Sequence, residues 1–419
     1  MTKFIALRRE PRTTFLGLEA RPMVDKRMRI AQDAPESRRS EVLREIGLAR
    51  VESDEQLPKD VNKFQRLGYA GAYVVDTAND VMAAKAREVL TPDYHIMPDI
   101  EMGLPKAILS QRFVRRPRRK SYWPAESGVA EAHRQGITGK GVLVGVLDTG
   151  IDADHLEFRD RRLPFRYVPL QPTEGQIRSV RGFDTNGHGT HVAGIIAGRN
   201  VGVAPDVELL VAAVIESETV KTSLERVMVA LDWMLSHFQL PENADKPFIL
   251  NLSLGFRPEW IGVTEIQSVV EGMHLLLRTL VMDFDVLPVA AIGNDGPGVV
   301  RAPGYFPECL SVGAVGPDLR PPWFSGSGLS PVTQEPEPDI AGYGVAVLSA
   351  LERDLDRVSI YAEKSGTSMA APYVTGIAAL TASANPGLQG EALRRRILDN
   401  ALRLEEGGSR VGAGLARFI

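Results

Sequence analysis

Short apolar runs and longer amphipathic segments alternate through the carboxyl-terminal two thirds of the chain. The apolar runs predict buried strands at 141–147, 207–215, 248–254, 286–292 and 310–315. Helical spacing of apolar positions predicts helices at 188–198, 223–238, 264–282 and 369–384. Strands that are separated by helices are typical of a parallel sheet with both faces covered. We therefore expect an α/β fold, with a doubly wound, mostly parallel sheet sandwiched by helices.

The pattern changes toward the amino terminus. Residues 1–45 are rich in Arg, Pro and Glu and only weakly periodic, which indicates a partly disordered lead or an extra strand. Residues 46–120 contain elements of a small α+β domain. These elements are a strand at 69–75, a helix at 80–90 capped by Asn79 or Asp80, and a strand at 94–102. Residues 121–419 are then expected to form the larger domain, which carries the parallel sheet.

A basic run, Arg115 to Lys120, marks the boundary between the two parts. It fits a solvated linker, a processing junction or a nucleic-acid patch. Residues 1–120 carry 24 Lys and Arg against 17 Asp and Glu, a net charge of +7, whereas residues 121–419 carry 25 against 36, a net charge of −11. The acidic body disfavours nucleic acid as a partner, and a basic front can be attracted to it.

The chain has one cysteine, Cys309, and therefore cannot form an intramolecular disulfide. Its first apolar stretch, 4–7, is followed by two arginines and is too short for a signal-peptide core. No apolar run is long enough to span a bilayer. These features predict a cytoplasmic protein without a membrane partner.

Three glycine-rich segments carry an Asp, a His and a Ser in that order. They are Val146 to Asp152, Asn186 to Gly194 and Gly366 to Pro372. Ser368 begins a predicted alanine-rich helix, where free N–H groups favour negative charge, although Ser is also a common helix cap. A serine hydroxyl needs an adjacent base, and His188 can supply it. Asp148 ends a buried strand, a costly place for a carboxylate that does not orient a partner, although a turn role is the alternative.

A metal site is the competing interpretation of two of these segments. His188 and His191 are three residues apart, but no Cys, further His or suitable carboxylate follows at a zinc-like spacing. Asp152 and Asp154 follow Asp148 without the regular oxygen ligands and closing Glu of a calcium loop. We therefore predict no metal in the catalytic site and expect His191 to pack inside its helix.

Together with Gly293-Asn294-Asp295-Gly296, these motifs resemble the subtilisin-like serine proteases, the subtilases of peptidase family S8. The resemblance covers roughly residues 123–400. It implies an endopeptidase that works through an acyl-enzyme on Ser368. Asn294 would donate its side-chain amide to the oxyanion, where loss of that donor costs about 10²–10³ in kcat in subtilisin itself.

The resemblance also implies a substrate-binding set. Its members are Ser253, Leu254, Gly255, Asp295 and Arg301. The first three would form the edge that pairs with an extended substrate and borders the S1 pocket. Arg301 stands where relatives have a small residue on the floor of S1, so it could pair with an acidic P1 side chain or turn outward to solvent.

Residues 46–120 resemble the inhibitory prodomain of subtilases in position and rhythm, so the protein's own N-terminal domain is expected to be an inhibitor. The segment between Met102 and Lys120 would then lie in the cleft. Only seven residues, 195–201, separate Gly194 from Gly202, whereas many relatives have a long calcium-binding loop after the His helix. We expect that strong site to be missing and no cofactor to be required, although Glu157 stands at a ligand position and a weaker calcium site is possible.

The favoured function is a serine endopeptidase that acts on peptide or protein substrates and is held in check by its N-terminal domain. A narrower alternative is a processing protease dedicated to one peptide or protein partner. An alternative of another class is an inactive subtilase fold that serves as a binding module, which the intact Asp148, His188, Asn294 and Ser368 disfavour.

Overall fold

The computed structural model describes residues 2–12, 29–30, 38–51, 61–105, 108–114, 123–170, 178–217, 219–256, 261–405 and 407–419. The basic run at 115–120 lies outside the described residues. Within them, no helix is both long and apolar enough to cross a membrane.

The strands and helices are numbered in chain order. The strands are β1 (Thr2–Arg8), β2 (Ala49–Arg50), β3 (Lys63–Leu67), β4 (Ala72–Thr77), β5 (Tyr94–Pro98), β6 (Glu101–Met102), β7 (Ile108–Val114), β8 (Leu143–Asp148), β9 (Phe165–Tyr167), β10 (Arg178–Ser179), β11 (Glu208–Ala213), β12 (Thr222–Ser223), β13 (Phe248–Leu252), β14 (Leu287–Ala291), β15 (Leu310–Val315), β16 (Gly328–Leu329), β17 (Pro336–Glu337), β18 (Ile340–Tyr343), β19 (Val347–Leu351) and β20 (Ile360–Ser365). The helices are α1 (Arg38–Glu45), α2 (Asp80–Leu90), α3 (Val129–Arg134), α4 (His188–Ala197), α5 (Leu224–Phe238), α6 (Ile266–Phe284), α7 (Thr367–Ala384) and α8 (Gly390–Asp399).

The described residues form one large sheet in the order β10-β9-β11-β8-β13-β14-β15-β18. All neighbours from β9 to β18 pair in parallel, and β10 pairs antiparallel with β9 at one edge. The mostly parallel sheet predicted from the apolar runs is therefore confirmed. The strand at 310–315 has the predicted bounds, and the other predicted strands of this sheet differ by a few residues at their ends.

Alternation along the strands sends side chains to two separate apolar cores. Val144 and Val146 of β8 pack with α4 and α7 on one face. Leu143 and Leu147 of the same strand pack with α5 and α6 on the other. Both faces of the sheet are therefore buried, which explains why its strands are apolar at nearly every position rather than at alternate ones.

The N-terminal region forms a second, five-stranded sheet in the order β2-β3-β4-β1-β5. The helix predicted at 80–90 is confirmed as α2, and the Asn79 side chain caps it by accepting the Met82 N–H at 3.0 Å. Of the two interpretations of residues 1–45, the extra strand is the one that β1 shows, because β1 pairs with both β4 and β5 inside this sheet, across the boundary expected at residue 45. The apolar stretch at 4–7 supplies buried strand residues rather than a lead.

One face of this small sheet packs on α5 and α6 of the large domain. Ile5, Leu7 and Met97 belong to the same apolar cluster as the residues of these two helices. Gly272 of α6 permits the contact, because a Cβ there would lie 2.2 Å from the Met97 sulfur. The N-terminal domain therefore shares a core with the catalytic body rather than being loosely tethered to it.

Polar contacts surround this shared core. The Arg12 N–H donates to Asp283 at 2.9 Å, and Lys3 pairs with the buried Glu225 at 2.7 Å. Asp232 of α5 accepts the backbone N–H groups of Tyr69 and Ala70 at 2.6 and 2.8 Å. The bonds from the backbone of Arg12, Tyr69 and Ala70 fix the orientation of the small sheet, since they link fixed backbone atoms to side chains of α5 and α6.

Candidate active site

The carboxyl end of β8 and the start of α4 bring Asp148 and His188 together. The His188 Nδ1–H donates to the two carboxylate oxygens of Asp148 at 2.8 and 3.0 Å. Asp148 is fully buried and also accepts the Thr149 N–H at 2.7 Å. The carboxylate is thus held by hydrogen bonds in a dry position, and it fixes the imidazole tautomer that leaves Nε2 as the basic nitrogen.

A tight contact between two loops makes this pairing possible. A Cβ at Gly189 would lie 2.2 Å from the Gly150 carbonyl oxygen, so only glycine lets the first turn of α4 reach the end of β8. The Thr149 hydroxyl bridges the two loops, because its oxygen accepts the Gly189 N–H at 2.9 Å and its hydrogen goes to Asp184 at 2.7 Å.

Asp184 is a positioning residue that the motif analysis did not identify. Its Oδ2 accepts both the N–H and the hydroxyl of Thr190, and its Oδ1 accepts the Gly187 N–H. These bonds satisfy N–H groups at the start of α4 that lack helical partners, and the carboxylate complements the helix dipole. An Asp shortly before a helix was the available signal, since such residues are common helix caps.

Asn294 lies beside the start of α7. Its Oδ1 accepts the Thr367 N–H at 2.8 Å and the Thr367 hydroxyl at 2.9 Å. Its Nδ2 would lie 3.2 Å from a Cβ at Gly366, so the absence of a side chain there allows the close approach. Two donors on Oδ1 fix which end of the amide is the carbonyl, and the NH₂ end is thereby turned away from Thr367.

Ser368 occupies the first turn of α7 and is almost fully buried. Side chains of β13 and of the residue that follows it support this turn through hydrogen bonds. The Asn251 amide accepts the Thr375 hydroxyl at 3.1 Å and donates to Ser253 Oγ at 3.0 Å, and Ser253 Oγ in turn lies 3.4 Å from the Ser368 carbonyl oxygen. The side chain of Ser253 therefore contacts α7 at Ser368 and does not line the cavity formed by its neighbours.

Four of the predicted substrate-binding residues line one cavity. They are Leu254, Gly255, Asp295 and Arg301, and the cavity is closed by Ala302, Gly293 and Gly103 to Pro105 of the N-terminal part. The Arg301 Nε–H donates to Asp295 at 2.9 Å, and both side chains are mostly buried. Arg301 thus faces the cavity with its charge balanced by a carboxylate instead of turning outward.

Residues 101–105 run as an extended segment through the cleft, which lies between β12 and Gly255. Glu101 and Met102 pair antiparallel with β12 on one rim. Gly103 pairs with Gly255 on the other rim through two hydrogen bonds, at 2.7 Å from the Gly103 N–H and 2.9 Å from the Gly255 N–H. Pro105 then lies at the cavity lined by Arg301. The segment is therefore held by backbone pairing on both sides.

His191 and Glu157, two residues considered as metal ligands, have other partners. The His191 Nε2–H donates to the Ala362 carbonyl at 2.9 Å, and burial lowers the pKa of its ring well below its usual value. Glu157 accepts the Asn200 N–H at 2.6 Å, the Asn200 side-chain amide at 3.0 Å and the Tyr361 hydroxyl at 2.7 Å. The carboxylate of Glu157 thus holds the short loop after α4. The groups around it are hydrogen-bond donors, which do not suit a bound cation. Within the described ranges, no cluster of three or more His, Cys, Asp or Glu could hold a metal ion.

Comparison with known proteins agrees with this geometry. Residues 139–414 match the family model of the subtilase family. The chain is 43% identical over 376 residues to the subtilisin-like protease PopC of Myxococcus xanthus, covering 87% of this chain and 78% of that protein. It is 31% identical over 281 residues to subtilisin E of Bacillus subtilis, covering 65% of this chain and 63% of subtilisin E.

A solved structure gives the same result for the fold. The crystal structure of a cold-adapted subtilisin-like serine proteinase superimposes with a TM-score of 0.51 at 27% identity, covering 67% of this chain and 90% of the other. The α/β fold and these family matches place the chain in the class of serine hydrolases. The family match narrows this class: the chain belongs to the subtilase family and is a subtilisin-like serine endopeptidase.

Proposed function

We propose that Ser368 is the nucleophile of this peptidase, with His188 as its base and Asp148 as the residue that orients the base. The observation that carries the proposal is the double contact of His188 Nδ1–H with the buried Asp148 carboxylate. It prepares Nε2 to take the hydroxyl proton as Ser368 Oγ attacks the scissile carbonyl carbon. His188 then returns the proton to the leaving amine as the C–N bond breaks, and water hydrolyses the acyl-enzyme by the reverse sequence.

Asn294 and the start of α7 would stabilise the negative charge that forms on the carbonyl oxygen. The Thr367 contacts orient the amide NH₂ of Asn294, and helix N-terminal N–H groups favour an anion. Because these donors are fixed before substrate binds, little reorganisation is needed as the charge develops.

An active-site probe tests the nucleophile. A fluorophosphonate should label the wild type once activated and should fail to label Ser368→Ala. Ser383→Ala is the matched control, since Ser383 lies on the same helix but bonds the distant Lys140 carbonyl at 2.9 Å. Labelling of Ser368→Ala, or loss of labelling in Ser383→Ala, would refute the assignment.

We propose further that the N-terminal domain is an inhibitor that acts through residues 101–105. The two hydrogen bonds between Gly103 and Gly255 support this proposal, because a substrate cannot pair with Gly255 while Gly103 occupies it. Pro105 likewise lines the cavity that a substrate side chain would enter. The cytoplasmic location expected from the sequence stays a prediction.

Two variants of one residue test the inhibitory role. Gly103→Pro removes the N–H that donates to Gly255, whereas Gly103→Ala retains it. Full-length Gly103→Pro should therefore react with the fluorophosphonate faster than both the wild type and Gly103→Ala. Intact mass measured alongside distinguishes opening of the cleft from removal of the domain. Equal labelling rates for all three proteins would mean that residues 101–105 do not control access.

A further inference from the structure

The outer edge of β20 lies next to the nucleophile and is covered by the N-terminal part of the chain. β20 ends at Ser365, three residues before Ser368, and forms a three-stranded sheet in the order β19-β20-β7. β7 pairs with it antiparallel, from Tyr361 opposite Val114 to Ser365 opposite Ile108, with a register shift near the Ser365 end.

The direction in which the chain runs relates the pairing of β7 with β20 to substrate binding. Residues 101–105 pass the S1 cavity, and after residues 106–107, which lie outside the described residues, β7 continues along β20. A substrate bound as residues 101–105 are bound would leave its amino side at Gly255 and its carboxyl side at β20. In that register, with Pro105 at the cavity, Ile108 corresponds to the third residue beyond the scissile bond and Val114 to the ninth.

β20 is held in place by contacts that do not involve β7. β19 pairs with its inner edge from Val347 to Leu351. The Ala362 carbonyl accepts from buried His191 at 2.9 Å, and the Tyr361 hydroxyl donates to Glu157 at 2.7 Å. When β7 leaves, the strand therefore keeps its shape and presents an edge of backbone N–H and C=O groups that another strand can pair with.

We propose that the outer edge of β20 is an exosite that binds the carboxyl side of an extended polypeptide substrate by strand addition. The proposal rests on the endopeptidase function and on the N-terminal segment occupying the cleft as a substrate would. The site extends from about the third to the ninth residue beyond the scissile bond, the span of β7. It selects long, extended chains over short peptides, because each added residue pair contributes backbone hydrogen bonds.

Side-chain selectivity along this edge is weak and uneven. Ile108, at the end near the nucleophile, packs against the large apolar core, whereas Phe113, at the far end, is 62% exposed. The exosite therefore favours an apolar residue close to the scissile bond and tolerates most residues further along. Main-chain pairing contributes most of the affinity.

Internally quenched peptides of graded length test the exosite. All share the same residues on the amino side and carry two, five or nine residues on the carboxyl side, with rates expressed per fluorophosphonate-titrated active site. Two or three net backbone hydrogen bonds, each worth about fivefold, predict a rise of about 25- to 125-fold in kcat/KM from the shortest to the longest peptide. Peptides lengthened equally on the amino side, beyond the residues that match 101–105, are the control and should gain much less.

N-methylated peptides distinguish backbone pairing from simple length. Only every second residue of an antiparallel edge strand turns its N–H toward its neighbour. N-methylation at one alternating set of carboxyl-side positions should abolish the gain, and methylation at the other set should leave it. A kcat/KM independent of carboxyl-side length, or equal losses from both sets, overturns the exosite while the peptidase stands. Failure to cleave any peptide, with no active-site labelling, overturns both.

Discussion

Asn294 and Thr367 are joined by two hydrogen bonds, both accepted by the same amide oxygen of Asn294. One comes from the backbone N–H and one from the hydroxyl of Thr367, at 2.8 and 2.9 Å. The residue that precedes the nucleophile thereby fixes the orientation of the proposed oxyanion donor. A side chain outside the triad thus shares in positioning the charge-stabilising group.

Thr367→Val removes the hydroxyl bond and keeps the backbone one. We expect kcat to fall about fivefold, the effect of one net hydrogen bond, with KM nearly unchanged. Asn294→Ala should cost about 10²–10³ in kcat, a magnitude taken from subtilisin. Thr381→Val, on the same helix, is the control and should alter stability but not kcat, because its hydroxyl bonds the Ile377 carbonyl within that helix at 2.9 Å. A wild-type kcat for Thr367→Val would show that the backbone bond alone is sufficient.

Asp184→Asn tests the loop that carries the base. An amide offers one acceptor oxygen where the carboxylate serves Thr149, Gly187 and Thr190. We expect the free energy of unfolding to drop by about 1–3 kcal/mol and kcat to fall while KM holds. Thermal unfolding and steady-state kinetics check this. If stability falls and kcat is unchanged, Asp184 supports the fold without positioning His188.

Arg301→Ala tests the charge balance of the S1 cavity. The substitution leaves Asp295 without the guanidinium that pairs with it at 2.9 Å. We expect kcat/KM to rise for peptides with Lys or Arg at P1 and to fall for peptides with Glu, because the remaining carboxylate attracts cations. Matched peptides that differ only at P1 give the ratio, and Arg301→Lys should retain most of the wild-type preference. An unchanged ratio would place P1 recognition elsewhere.

We expect the N-terminal domain to pack more tightly against the large domain at acidic pH. Burial raises the pKa of Asp99 to about 6, with Glu225 adding to the shift and Lys3 opposing it. Burial also raises the pKa of Asp232 to about 6, against its bonds from Ala70 and Tyr69. Packing of the N-terminal domain on the large domain therefore takes up protons at these two carboxylates. Its extra stability is present below the ordinary aspartate pKa of 3.8 and is lost as the pH rises through 6.

Asp232→Asn in a Ser368→Ala chain measures this effect without self-cleavage. The amide still accepts the two backbone N–H groups but carries no charge, so the variant should unfold at a higher temperature than its parent above pH 6. The gain should be about 1 kcal/mol or less, because the carboxylate keeps some contact with water. The difference should vanish near pH 4. A parent whose stability does not vary between pH 4 and 7 would contradict the prediction.

We expect the hydrogen bonds of the Glu157 carboxylate to hold the loop after α4 in place of a bound cation. Glu157→Gln cannot serve Asn200 and Tyr361 as well, and we expect a loss of about 1–3 kcal/mol in the free energy of unfolding. Tyr361→Phe should cost less, since it removes one bond. A chelator should leave the wild-type melting temperature unchanged, and a fall after chelation would reveal a calcium site.

Local sequence was sufficient to predict the fold class and to mark Asp148, His188 and Ser368 as candidate site residues. The periodicity of apolar residues reflects which faces are buried, and the glycine-framed motifs around Asp148, His188 and Ser368 require a tight approach that few other residues allow. The helix at 80–90 was predictable for the same reason, because its cap and its apolar spacing are local. The apolar stretch at 4–7 was too short to identify as a central strand of the N-terminal sheet.

Tertiary structure alone decided the relationships between distant parts of the chain. Asp184 accepts five hydrogen bonds, and the one from Thr149 forms only when the end of β8 and the start of α4 come together. The pairing of Arg301 with Asp295 depends on which way two side chains turn, which no spacing specifies. The pairing of Gly103 with Gly255 joins backbone atoms 152 positions apart. Backbone pairing leaves almost no trace in residue type. The family resemblance led us to expect the N-terminal segment in the cleft, but only the folded chain determines which backbone atoms pair there and that the segment continues along β20.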